Sequence, residues 1–173
     1  ERNDFMNFVK KDIYKEEKMN PFNLIGKKWF LITSGDESGY NTMTASWGQM
    51  GILWNKPVIT AFVRPNRKTF EFMENNEYFT ISFFSEDYRS TLSFCGSHSG
   101  RDCDKAKETG LTPMFIDGTT AFEEAEMVLV CRKVYTDALE ENGFLDKSFL
   151  SFYDKDPYHK AFTGEITAVY IKE

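Results

Sequence analysis

The feature that most restricts the fold is a series of short β-branched and aromatic runs, each closed by turn residues, without regular alternation of strand and helix. Trp29 to Ser34 is a compact apolar run closed by Gly35-Asp36-Glu37-Ser38-Gly39, and Asn41 to Trp47 reads as the return strand of a hairpin. Val58 to Val63, entered through Pro57, is a third strand; Tyr78 to Phe84, Met127 to Thr136 and Phe162 to Ile171 follow. Between them the spacing predicts short helices. One runs from about Phe70 with Thr69 as its N-cap, and one from Ser85-Glu86-Asp87 toward Cys95. A third covers Asp102 to Thr109, ended by Gly110. The pattern predicts a mainly β fold, an antiparallel barrel with a few peripheral helices, rather than a doubly wound parallel sheet. Closure into a barrel also removes exposed strand edges.

No repeat or linker divides the 173 residues, so the expectation is a single domain over 1–173. Residues up to about 20 read as a polar lead-in, with a short helix at most. The polar and aromatic stretch Glu140 to Lys160 receives no assignment. Seventeen Phe and eight Tyr point to a β-rich core or to a flat-ring ligand, the core accounting for most of them.

A net charge of −6 argues against nucleic-acid binding through phosphates and against a Lys/Arg-driven membrane surface. The opening ERNDFMNFVKKDIYKEEKMN has no apolar signal-peptide core, although the given chain does not begin with Met. Three cysteines, Cys95, Cys103 and Cys131, do not make a disulfide framework. Cytoplasmic localisation is therefore expected, with passive thiols. The run Cys95-x-x-His98-x4-Cys103 lacks a fourth ligand and paired spacing, so no metal is assigned to it.

Local positive clusters stand out against the acidic background. Arg64-Pro65-Asn66-Arg67-Lys68-Thr69 lies between a strand and a helix start, the combination that holds a phosphate; a solvated basic turn is the plainer alternative. Ser97-His98-Ser99-Gly100-Arg101-Asp102-Cys103-Asp104-Lys105 is a second Gly-containing basic turn entering a helix. On a strand, Thr42, Thr44 and Ser46 share one face, a hydroxyl stripe suited either to a polar ligand edge or to solvent. His159 reads as a donor at a redox site or as a surface residue. Walker A, HExxH, GxSxG and GxGxxG patterns are absent.

Taken in order, NTMTASWGQMG, PVITAFVRPNRKTFEFMENNEYFTISFF and GSHSGRDCDKAKETGLTP resemble the flavin reductase-like, flavoredoxin-type branch of the FMN-binding split barrel. The resemblance runs from about Pro21 to the final strand. It implies a Greek-key split β-barrel that forms a homodimer with one FMN per subunit near the interface. It implies Met43, Thr44, Ala45, Ser46 and Trp47 along the flavin ring and ribityl chain. Arg64, Arg67, Lys68 and Thr69 would meet the phosphate, with Ser99, Gly100, Arg101 and Lys105 closing over it. His159 matches more loosely a histidine near the nicotinamide. The implied activity is NAD(P)H-dependent flavin reduction, with NADH or NADPH as donor. The alternatives are a flavoredoxin-like electron carrier serving a redox protein partner, or a flavin-free ligand-binding barrel.

Overall fold

The computed structural model describes residues 7–173. Among the described residues there are ten strands: β1 (Phe8–Lys11), β2 (Phe30–Asp36), β3 (Gly39–Ala45), β4 (Gly48–Leu53), β5 (Lys56–Val63), β6 (Tyr78–Phe83), β7 (Pro113–Ile116), β8 (Thr119–Phe122), β9 (Met127–Ala138) and β10 (Lys160–Lys172). Eight of them form one antiparallel sheet in the order β3-β2-β6-β9-β10-β5-β4, with β1 also paired to β10; β7 and β8 form a separate hairpin. The consecutive strands β9 and β10 lie between β6 and β5, a Greek-key-type crossing. β10 serves two partners along one edge: Lys160–Glu165 pair with β5 and Val169–Lys172 with β1.

Strand periodicity sorts the side chains into two cores. Phe30, Ile32, Met43, Ile59, Phe79, Ile81, Leu129, Cys131, Phe162 and Ile166 belong to one cluster fed by six strands, so the sheet is rolled about a single interior. The alternate residues Leu31, Val128, Val130 and Tyr170 face outward, where α2 (Arg89–Ser97), α3 (Lys105–Thr109) and the β7–β8 hairpin cover them. At the β9–β10 seam, a Cβ on Gly164 would lie 2.7 Å from Phe79 Cζ and 2.8 Å from Cys131 Cβ; only a bare backbone fits there.

Several sequence expectations change. The N-terminal lead-in contributes β1, whose Phe8 is buried, rather than a helix; FVKK is too short for its alternation to be read. Residues 1–6 of that lead-in lie outside the described residues. Phe22–Lys28 forms a π-helical segment. Arg89 completes its end by donating to Lys27 O (2.9 Å) and Lys28 O (3.1 Å), with its guanidinium 3.3 Å from the Trp29 ring centroid. β4 and the β7–β8 hairpin were not anticipated either. Helix α1 (Lys68–Asn75) begins one residue before Thr69, and α2 follows a 3₁₀ turn at Glu86–Tyr88. α3 is shorter than expected, because Asp104 rather than Asp102 caps it by accepting from Lys107 N (3.1 Å). Gly110 does end it, in the left-handed conformation (φ +74°).

Candidate functional site

The two basic turns lie far apart in sequence, and side-chain-to-backbone bonds stitch them together. Arg67 donates through both terminal nitrogens to Gly96 O (3.1 and 3.2 Å), and Lys68 Nζ donates to Gly100 O (3.0 Å). In the other direction, Arg101 Nη1 donates to Asn66 O (3.1 Å) and Nη2 pairs with Glu71. Ser99 shapes the second turn, its Oγ accepting from Arg101 N (3.1 Å).

Lys105 is the most deeply placed cation, 4 % exposed. Its ammonium donates to Thr42 O (2.9 Å) on the outer edge of β3 and to Cys95 O (2.8 Å) on α2. Burial, aided by the nearby Arg67 cation, pulls its pKa down to about 8, while Cys95 and Cys103 oppose the shift. Burial and the Arg64 charge lower the Arg67 pKa as well. Among the described residues, none of Arg67, Lys68 and Lys105 has a carboxylate partner within ion-pair distance. Three adjacent, partly desolvated cations that donate to carbonyl oxygens make a donor set that suits a multiply charged oxyanion such as a phosphate.

Asn41, which the sequence reading passed over, organises this cradle. With its amide oriented to satisfy both ends, Oδ1 accepts from Thr69 Oγ1 (2.7 Å) and Thr69 N (3.3 Å), tying β3 to the first turn of α1. A Cβ on Gly100 would stand 2.0 Å from the tip of that amide, so Gly100 lets the second turn close against β3. The signal that would have found Asn41 is its alternation with the hydroxyl stripe on the same strand.

The stripe itself is largely committed within the fold. Thr42 Oγ1 lies 2.8 Å from Thr33 Oγ1 and 3.2 Å from Ile32 O, and Thr44 Oγ1 donates to Leu92 O (2.5 Å). Met43 points into the barrel core and Ala45 packs against it. Ser46 and Trp47 form the connection to β4 and line a second pocket of about 350 Å³ with Phe62, Tyr153 and His159. The strand's rise of ~3.3 Å per residue separates that pocket from the cradle by the five residues from Thr42 to Trp47.

Arg64 reaches behind this second pocket to His159, which lines it, and takes no part in the cradle's hydrogen bonds. Its Nε donates to His159 Nε2 (3.3 Å), and Nη2 donates to Phe152 O (3.3 Å). Nη1 lies 3.0 Å from Asp156 Oδ2, an ion pair whose angle falls short of a hydrogen bond. His159 is buried, not on the surface. Because Nε2 accepts from Arg64, the ring proton sits on Nδ1, which donates to Tyr153 Oη (2.7 Å). Burial and the Arg64 charge lower the His159 pKa to about 4 against the pull of Asp156, so the imidazole is neutral at pH 7. Trp47 meets His159 edge-on at 5.6 Å and Phe152 at 5.2 Å.

All three cysteines are free thiols. Cys95 is pushed up to about 11 and Cys131 higher still, both by burial. Among the described residues no group of three His, Cys, Asp or Glu is arranged to hold a metal, and no helix is long and apolar enough to cross a membrane.

With this geometry in hand, the chain is comparable to known proteins. Its fold superposes on an FMN-binding domain of a flavin reductases-like enzyme from Shewanella baltica OS155 (TM-score 0.69, 19 % identity, 96 % of this chain and 78 % of that one). It also superposes on flavoredoxin from Methanosarcina acetivorans (0.66, 24 %, 84 % and 69 %). A third match is flavoredoxin of Desulfovibrio vulgaris (Miyazaki F) (0.67, 22 %, 95 % and 78 %). No curated protein matches the chain. The model of the flavin reductase like domain matches residues 22–173, which take in strands β2 to β10 and both pockets, and the chain belongs to that family.

Proposed function

We propose that this chain is an FMN-binding oxidoreductase that reduces flavin at the expense of NADH or NADPH. The observation that carries the reading is the cradle of Arg67, Lys68 and Lys105, which among the described residues has no carboxylate within ion-pair distance although the protein carries a net charge of −6. These cations would hold the phosphate, with Ser99, Gly100 and Arg101 closing over it and Thr69 at the helix start. The outer edge of β3 would hold the ribityl chain, with Ser46 and Trp47 beside the ring. FMN, when bound, supplies the hydride- and electron-accepting ring. The chain's own residues bind, orient and exclude water. His159 holds its proton on Nδ1 toward Tyr153, so it serves to fix the pocket wall and not as a proton donor. The thiols, in a reducing cytoplasm, take no part.

A homodimer belongs to the same reading. Trp47, Trp54, Phe149 and Phe152 are exposed, as are Ile52, Leu53 and Tyr135, and large aromatics of this kind are enriched in interface cores. The flavoredoxin neighbours favour a second reading, a carrier that passes electrons to a protein partner without oxidising nicotinamide.

The test starts with the visible spectrum of the purified protein, followed by titration with FMN and riboflavin. FMN should bind more tightly than riboflavin. Arg67→Ala and Lys68→Ala should each lose about 1.5–3 kcal/mol of FMN binding, the range for a hydrogen bond to a charged group. Equal binding of riboflavin overturns the phosphate cradle. Steady-state oxidation of NADH or NADPH with added FMN separates reductase from carrier.

A further inference from the structure

The cleft at the start of β3 does not stop at the cradle. Past Lys68, Gly100 and Lys105 it continues between the β2–β3 turn and the loop entering α3, where Glu37, Asp102 and Asp104 line it. Its volume of about 440 Å³ leaves room beyond a single phosphate. All three carboxylates belong to exposed residues, and among the described residues none lies within ion-pair distance of a cation. The cations nearest them are engaged elsewhere: Arg101 with Glu71, Lys68 with Gly100 O, Lys105 with Thr42 O and Cys95 O. One cleft is therefore cationic where the two basic turns meet and anionic farther out.

We propose that this carboxylate rim is a specificity filter: Glu37, Asp102 and Asp104 admit a flavin ending in a monophosphate and reject one extended by a second phosphate and a nucleoside. The inference rests on the FMN reading above. A terminal monophosphate places a full dianion among Arg67, Lys68 and Lys105. In a flavin dinucleotide the same position carries a single charge, and the second phosphate would meet three carboxylates where, among the described residues, the cations lining the cleft are already engaged. Both differences favour the mononucleotide. The discrimination is electrostatic and yields to neutralisation without enlarging the cleft.

The experiment measures FMN and FAD dissociation constants at low ionic strength for the wild type, the single variants Glu37→Gln and Asp102→Asn, and their double. Asp104→Asn is then added, Asn being as good a cap for α3 as Asp. The wild type should prefer FMN, and the double variant should narrow the FMN-to-FAD affinity ratio about tenfold, the narrowing shrinking as salt screens the exposed charges. Wild-type protein that binds FAD as tightly as FMN overturns the filter. So does an unchanged ratio in variants whose circular dichroism matches the wild type. Wild-type protein that binds neither nucleotide overturns the FMN reading itself.

Discussion

Lys105 carries the most consequential physics of any single side chain here. A buried ammonium facing two carbonyls and a neighbouring guanidinium is held charged at a cost, and a bound phosphate dianion offsets that cost. With its pKa near 8, the ammonium is charged below that value and neutral above it. FMN affinity should thus fall as pH rises from about 8, because the phosphate stays a dianion throughout and only the protein titrates. Fluorescence titrations between pH 7 and 9.5 check this, with Lys105→Arg expected to flatten the profile. The same shift fixes the sign for the ligand-free protein. Between about 8 and 10.5 the unfolded chain binds the proton that the folded chain has released, so the contribution of Lys105 to stability increases with pH across that window. A thermal-melting series that falls over this range, relative to Lys105→Met, contradicts the assignment.

At the scale of elements, the long excursion between β9 and β10 is the least ordinary part of the fold. Residues 139–159 leave and return at the Ala138–Lys160 pair, and Leu139 N donates to His159 O (3.0 Å). The excursion holds two 3₁₀ turns, Glu141–Gly143 and Lys147–Tyr153, packed by Phe144, Tyr153 and Tyr158. Long loops with their own internal packing tend to serve a site. Arg64 is its principal tether, reaching Phe152 O, Asp156 and His159 from the end of β5. Arg64→Leu should make residues 140–158 markedly more sensitive to limited proteolysis while weakening FMN binding less than Arg67→Ala does. The opposite ranking would return Arg64 to the phosphate. The turns also show which signals were legible. Asp117-Gly118, with φ of +49° and +80°, is a strong hairpin cue for β7 and β8 that was present in the sequence. Trp54-Asn55 turns the β4–β5 hairpin with the same positive φ pair, and nothing in a Trp announces that.

For the whole molecule, the question is where the exposed aromatic residues go. Trp54 meets Tyr135 edge-on and is exposed, Leu145 is 98 % exposed, and Phe149 and Phe152 stack on each other at the surface beside Trp47. An isologous interface through Trp47, Phe149 and Phe152 would cover these rings and complete the pocket at Trp47. If dimerisation builds the site, flavin binding should be linked to assembly by mass action. Sedimentation at increasing dilution, followed at protein and flavin wavelengths together, should then show flavin release in step with dimer dissociation. A monomer that keeps its flavin at full affinity excludes this.

Period-two runs and turn residues sufficed to establish a mainly β chain with an antiparallel sheet, because side-chain alternation on a strand is a local property. The order of three separate motifs pointed to the family. The basic turns were visible for a similar reason, each being a few adjacent residues. Other features depended on pairing across long separations. β1 exists because the C-terminal half of β10 offers it an edge, and FVKK alone does not specify a strand. Asn41, Thr69 and Gly100 meet only once β3, α1 and the second turn are assembled. Arg64 and Arg67 are three residues apart and equally charged, yet one reaches the loop before β10 and the other the end of α2. Charge is a property of the residue, but its partner is chosen by the direction the backbone gives the side chain, and that direction is settled only by tertiary packing.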